Sequence, residues 1–136
     1  FRVGDDPLQA NLAKLSLNFM IYSTIEQMAE VFALNEKAGT DPRKIFEIMT
    51  GSFYNAPVHK NYGKLMVDHA YDTPGAPVTL GLKDVGMFMD AGGDYGVPLP
   101  YAAIVRDRLL SAVSAGDADR DFVVLQERVR QESGLT

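Results

Sequence analysis

The sequence predicts an all-α domain in which about six helices pack on a long N-terminal spine helix. Three observations carry this. A capped run of helix length extends from position 6 to position 39. Starts marked by aspartate or proline and stops marked by glycine then recur along the chain. No segment shows a period-two alternation bounded by hairpin turns, which a half-buried strand would require.

The first helix starts at Asp5 or Asp6 as N-cap, with Pro7 at the first helical position, where a missing N–H costs nothing. It stops with Lys37 in the last turn and Gly39 as the left-handed C-terminal residue. At 1.5 Å per residue it runs roughly 45–50 Å, longer than the diameter of a domain this size, so it serves as a spine or projects into a partner subunit. Positions 17–25 carry no charge, which predicts burial on nearly every side. Asp41 and Pro42 repeat the start signal, and Ile45, Phe46, Ile48 and Met49 give a short amphipathic helix closed by Gly51. Residues 52–57 read as an aromatic loop, and a third helix follows over 58–69, interrupted by Gly63. Two prolines and a glycine make 71–77 a loop. Helices are predicted over 79–95, ended by Gly96, and over 100–115, ended by Gly116. Gly92 and Gly93 would fray or bend the former, and Asp117 and Asp119 offer caps for a last helix.

The whole chain, residues 1–136, reads as one helical domain, large enough to bury a core without disulfides or metals. Hydrophobic content of 46% and charged content of 23% lie in the ordinary globular range. With no cysteine, thiol catalysis and thiolate metal sites are excluded, and a cytoplasmic location is the expectation. A net charge of −5 and no basic window argue against nucleic acid and anionic membranes as partners. The apolar run of the first helix is too short and too polar to span a bilayer. The start lacks the plan of a signal peptide, and the absence of an initial methionine suggests an excised fragment.

Candidate chemistry is sparse. His59 and His69 lack the spacing of zinc ligands, and the glycines at 92–96 follow a helix without the G-x-G-x-x-G order. Lys14 precedes the most apolar part of the first helix, and Asn18 stands four residues on, on the same face. The pair reads either as a site or as a lysine whose stem packs while its ammonium reaches water. Lys83 and Asp84 fall at a predicted helix start. There an aspartate needs no explanation beyond the helix dipole, whereas a lysine is electrostatically the wrong way round and would suit a bound anion.

The order of these signals carries more than any one of them. Gly4, Lys14 with Asn18, the run Leu80-Gly-Leu-Lys83-Asp84-Val85, Gly96-Val-Pro-Leu-Pro100 and Gly116-Asp117-Ala-Asp119 together resemble the C-terminal helical domain of the β-hydroxyacid dehydrogenases. That family includes 3-hydroxyisobutyrate dehydrogenase, tartronate semialdehyde reductase and, more distantly, 6-phosphogluconate dehydrogenase. The resemblance implies the substrate-side half of an NAD(P)-dependent oxidoreductase, completed by an upstream Rossmann domain that binds most of the NAD or NADP and is not in this chain. It implies Lys14 as the catalytic acid/base, Asn18 as a substrate ligand and Lys83 as a cofactor contact, with a small hydroxyacid as substrate and a homodimer or higher homo-oligomer as the assembly. The isolated domain is expected to be inactive. Leu17 stands where many members carry a second asparagine, and Ala76 and Val78 where an aromatic residue is usual, which leaves the hydroxyacid unspecified. The rival readings are a catalytically silent association module of the same fold and a stand-alone acidic helical regulator.

Overall fold

The computed structural model describes residues 2–72 and 75–136, so positions 73 and 74 of the predicted 71–77 loop lie outside the described residues. The helices are α1 (Pro7–Lys37), α2 (Pro42–Thr50), α3 (Pro57–Val67), α4 (Val78–Tyr95) and α5 (Pro100–Ser114). A 3₁₀ turn, Phe122–Val124, then runs into α6 (Leu125–Glu132). Among the described residues there is no strand, and no helix is long and apolar enough to cross a membrane.

α1 is the spine: α2, α3, α4, α5 and α6 all pack on it. Asp6 starts it, its carboxylate accepting from the Leu8 backbone N–H at 2.9 Å, and Gly39, at φ 89°, turns the chain away just past its end. The face formed by Leu15, Tyr22, Ile25, Met28, Ala29 and Phe32 enters the core. Burial on nearly every side is not what occurs, however. Leu17 and Met20 remain 62% and 61% exposed, and with Val31 and Leu34 they form an uncovered apolar stripe.

Gly63 and Gly81 mark close approaches. A Cβ on Gly63 would lie 2.9 Å from the Phe46 ring, so the glycine that interrupts the helical pattern is what lets α3 meet α2. One on Gly81 would lie 3.1 Å from Tyr22 and 3.2 Å from Leu109, where α4 is wedged between α1 and α5. Gly92 is buried under Leu99, and α4 continues unbroken past it to Tyr95.

The start of α4 has no side-chain cap. Its place is fixed by the C-terminal segment, with Val78 N–H donating to the Arg120 carbonyl at 3.0 Å and Phe122 N–H to that of Ala76 at 3.1 Å. Asp121, rather than Asp117 or Asp119, caps the last helical segment, accepting from Val123 N–H at 3.0 Å. Asp117 is buried and faces Arg120 and Arg128 at 3.2 and 3.4 Å. Two arginines tie the spine to its partners. Arg130 of α6 grips Glu36 with two bonds of 2.9 and 2.8 Å, and Arg108 of α5 bonds the buried Glu26 at 2.8 Å and also reaches Glu132.

Candidate active site

The sequence places Lys14 and Asn18 one helical turn apart, and the fold decides what they meet. α4 runs antiparallel to α1, with Gly81 against Tyr22, Asp84 against Asn18 and Phe88 stacked on Phe19 at 4.6 Å. Asn18 is half-buried in this junction. Its side-chain amide donates to Asp84 Oδ2 at 2.8 Å, and the Tyr22 hydroxyl donates to the same oxygen at 3.3 Å. Burial and the adjacent Asp84 carboxylate push the Tyr22 phenol well above its ordinary value, so it keeps its proton and serves as a donor.

Lys14 is exposed, and among the described residues no acid pairs with it. The apolar residues near it turn inward or lie exposed along α1. Lys83 is likewise exposed, next to Asp84 in the chain. The structure thus brings Asn18 to the segment that carries Lys83 and leaves both lysines open to whatever approaches this face. No hydrogen bond joins the three predicted residues to one another among the described residues.

Asp84 is the residue whose importance the sequence concealed. Since α4 begins at Val78, Lys83 and Asp84 lie in its second turn, beyond the reach of terminal dipole effects. Asp84 is 7% exposed, and it joins two helices rather than answering the helix terminus. Only its partner 66 residues upstream reveals this, and no local pattern encodes that pairing.

Beside this junction, a groove of about 240 Å³ runs between the start of α1 and the end of α4, with Leu8, Asn11, Leu15, Met87 and Asp90 among its walls. A more apolar groove of about 290 Å³ lies between α1, α2 and α3, lined by Met28, Val31, Ile48, Tyr54 and His59, and contains none of the predicted site residues. His59 has its Nδ1 buried there without a partner among the described residues, and burial holds its imidazole below the ordinary value. His69, apart from His59, bonds the Tyr71 hydroxyl at 2.9 Å and stands 3.9 Å from Glu127.

The antiparallel pair of α1 and α4 thus presents two exposed lysines that no acid pairs among the described residues, and an amide tethered between the helices. Residues 9–128 match the family model described as NAD-binding of NADP-dependent 3-hydroxyisobutyrate dehydrogenase. The chain belongs to this family. It is 33% identical over 125 residues to an uncharacterised oxidoreductase of Bacillus subtilis, covering 92% of this chain and 43% of that protein. It is 32% identical over 135 residues to an NADH-dependent oxidoreductase of Aspergillus ustus, covering 98% and 47%. The crystal structure of 3-hydroxyisobutyrate dehydrogenase from Salmonella typhimurium superposes with a TM-score of 0.87 at 25% identity, covering 94% of this chain and 45% of that one. The chain thus spans less than half the length of each of these relatives.

Proposed function

We propose that this chain is the substrate-side helical domain of an NAD(P)-dependent dehydrogenase acting on a small 3-hydroxyacid, and that an upstream Rossmann domain completes its active site. The observation that carries this reading is the junction itself: Lys14 stands unpaired one turn from an asparagine held rigidly against the segment that bears Lys83.

In the direction of oxidation, the Lys14 amine takes the proton of the substrate hydroxyl; in reduction, its ammonium returns a proton to the carbonyl oxygen. Asn18 hydrogen-bonds the substrate close to the reacting carbon and holds it in register. The dinucleotide, when bound, exchanges a hydride with that carbon. Lys83 suits a contact with it, because an exposed cation without an acid partner is free to meet a phosphate or carboxamide edge. Closure of a second domain over this face would remove Lys14 from water and bring the dinucleotide to the substrate beside it, neither of which this chain supplies alone. For the same reason the isolated chain is expected not to turn over substrate.

Lys14→Ala in the full-length protein tests the proposal. Loss of the acid/base group should lower kcat about 10²- to 10⁴-fold while the variant stays folded. Unchanged turnover would remove the catalytic reading.

The uncovered stripe of Leu17, Met20, Val31 and Leu34 favours a second role for the same domain, self-association through α1. Met20→Lys should then convert the dimer to monomer in sedimentation velocity without altering the fold, and an unchanged sedimentation coefficient would count against that role.

A further inference from the structure

Asn18 carries an amide whose two ends, one donor and one acceptor, have nearly the same shape. A substrate that meets the wrong end meets a repulsive dipole. Which end faces outward is therefore part of the site's chemistry, and in this fold a single partner decides it.

The side-chain nitrogen of Asn18 lies 2.8 Å from Asp84 Oδ2. A carboxylate oxygen accepts from the nitrogen at this distance, so the amide makes this bond through its NH₂ end. The Tyr22 hydroxyl, 3.3 Å from the same oxygen, is a protonated phenol and occupies a second acceptor direction of the carboxylate. Tyr22 is buried and its ring packs edge-on against Phe122 at 5.0 Å, so this donor cannot swing away. Among the described residues Asn18 Oδ1 receives no hydrogen bond and is left to serve a ligand.

We propose that Asp84 is a positioning residue: by holding the NH₂ end of Asn18 it makes the carbonyl oxygen the group that Asn18 presents to the substrate, where it accepts from a donor other than the reacting hydroxyl, whose one proton goes to Lys14. This rests on the dehydrogenase reading above. A ligand that offers a further donor beside its reacting hydroxyl, a second hydroxyl or an ammonium, is matched by this arrangement. One that offers only an acceptor is not.

The test uses the full-length enzyme with Asp84→Asn, which keeps shape and volume but lets the two facing amides pair in either sense. The KM for the hydroxyacid should increase about 10- to 100-fold, the range for loss of a hydrogen bond to a charged group. The KM for the dinucleotide should stay unchanged, which a general loosening of the α1–α4 junction would not permit. In an Asn18→Ala background, Asp84→Asn should add nothing further, because Asp84 acts only through the amide. An effect that persists there, or a hydroxyacid KM equal to wild type, overturns the proposal. Lys14→Ala separates the two levels: if it abolishes turnover while Asp84→Asn is silent, the positioning role alone fails, and if it is fully active, the dehydrogenase reading fails and takes this inference with it. Should Asp84→Asn not fold, Asn18→Asp serves instead. Two carboxylates that share one proton restore the bridge on acidification, so the hydroxyacid KM of that variant should fall with pH relative to wild type, and a parallel pH profile would overturn the proposal.

Discussion

Replacing Gly81 by alanine sets two effects of opposite sign against each other. By helix propensity alone, alanine in place of a glycine within α4 should stabilise by about 1 kcal/mol. The site, however, has no room: the added methyl would lie 3.1 Å from Tyr22 Cε1 and 3.2 Å from Leu109 Cδ2, both in buried side chains held on several sides. Overpacking of a core costs about 1–3 kcal/mol. The balance is a net loss of about 1 kcal/mol, or a melting temperature lower by about 3–5 °C for a domain of this size. Gly86, on the same helix, supplies the control, since a Cβ there would meet nothing within 4 Å and alanine should give the propensity gain undiminished. Thermal and urea unfolding of the two variants should therefore shift in opposite directions. If Gly81→Ala is as stabilising as Gly86→Ala, the claim that glycine sets the spacing of α1 and α4 is wrong.

Other outcomes follow from single contacts. Arg130 holds the Glu36 carboxyl below its ordinary value, so the folded state favours the ionised form; that contribution is complete above pH 4.5, the ordinary value, and is lost as pH falls through the depressed one. Glu36→Gln should cost about 1–3 kcal/mol at pH 7, with wild-type and variant melting curves converging below pH 4.5, and a gap independent of pH would refute the assignment. Glu26 works in the opposite sense, because burial raises it, against the influence of Arg108; only the difference between variant and wild type isolates Glu36. Asp6→Ala removes the cap of an exposed helix end, so amide exchange at Leu8 should accelerate about five-fold, roughly 1 kcal/mol, with little change in the global melting temperature.

How far the sequence carries can be seen residue by residue. Helix starts at Asp6 and Asp41 and stops at Gly39 and Gly96 were legible, because caps act on their own neighbours. The shared face of Lys14 and Asn18 was legible for the same reason, helical geometry being local. Asp84 was misread, since its partners arrive from a helix more than sixty positions away, and a carboxylate near a helix start already has a sufficient local explanation. Asp117 and Asp119 were named as caps while Asp121 does that work, for a tertiary reason: Asp121 is held between its own turn and the Gly75 N–H, at 2.8 Å. The stripe on α1 reads as core in the sequence because leucine and methionine look alike whether their cover comes from the same domain or from elsewhere.

The length of α1 has a mechanical consequence. Lys14 and the Glu36 anchor share one rigid rod about 33 Å apart along its axis. A tilt of only 2° about the Arg130 end would carry Lys14 sideways by about 1 Å, enough to cost an enzyme on the order of 100-fold in rate. The rod is a lever, and the Asn18–Asp84 bond lies near its working end, where a small restoring force resists the largest swing. On the role proposed for Lys14, substitutions at Arg130 should therefore be felt as a loss of aim at the other end of the rod.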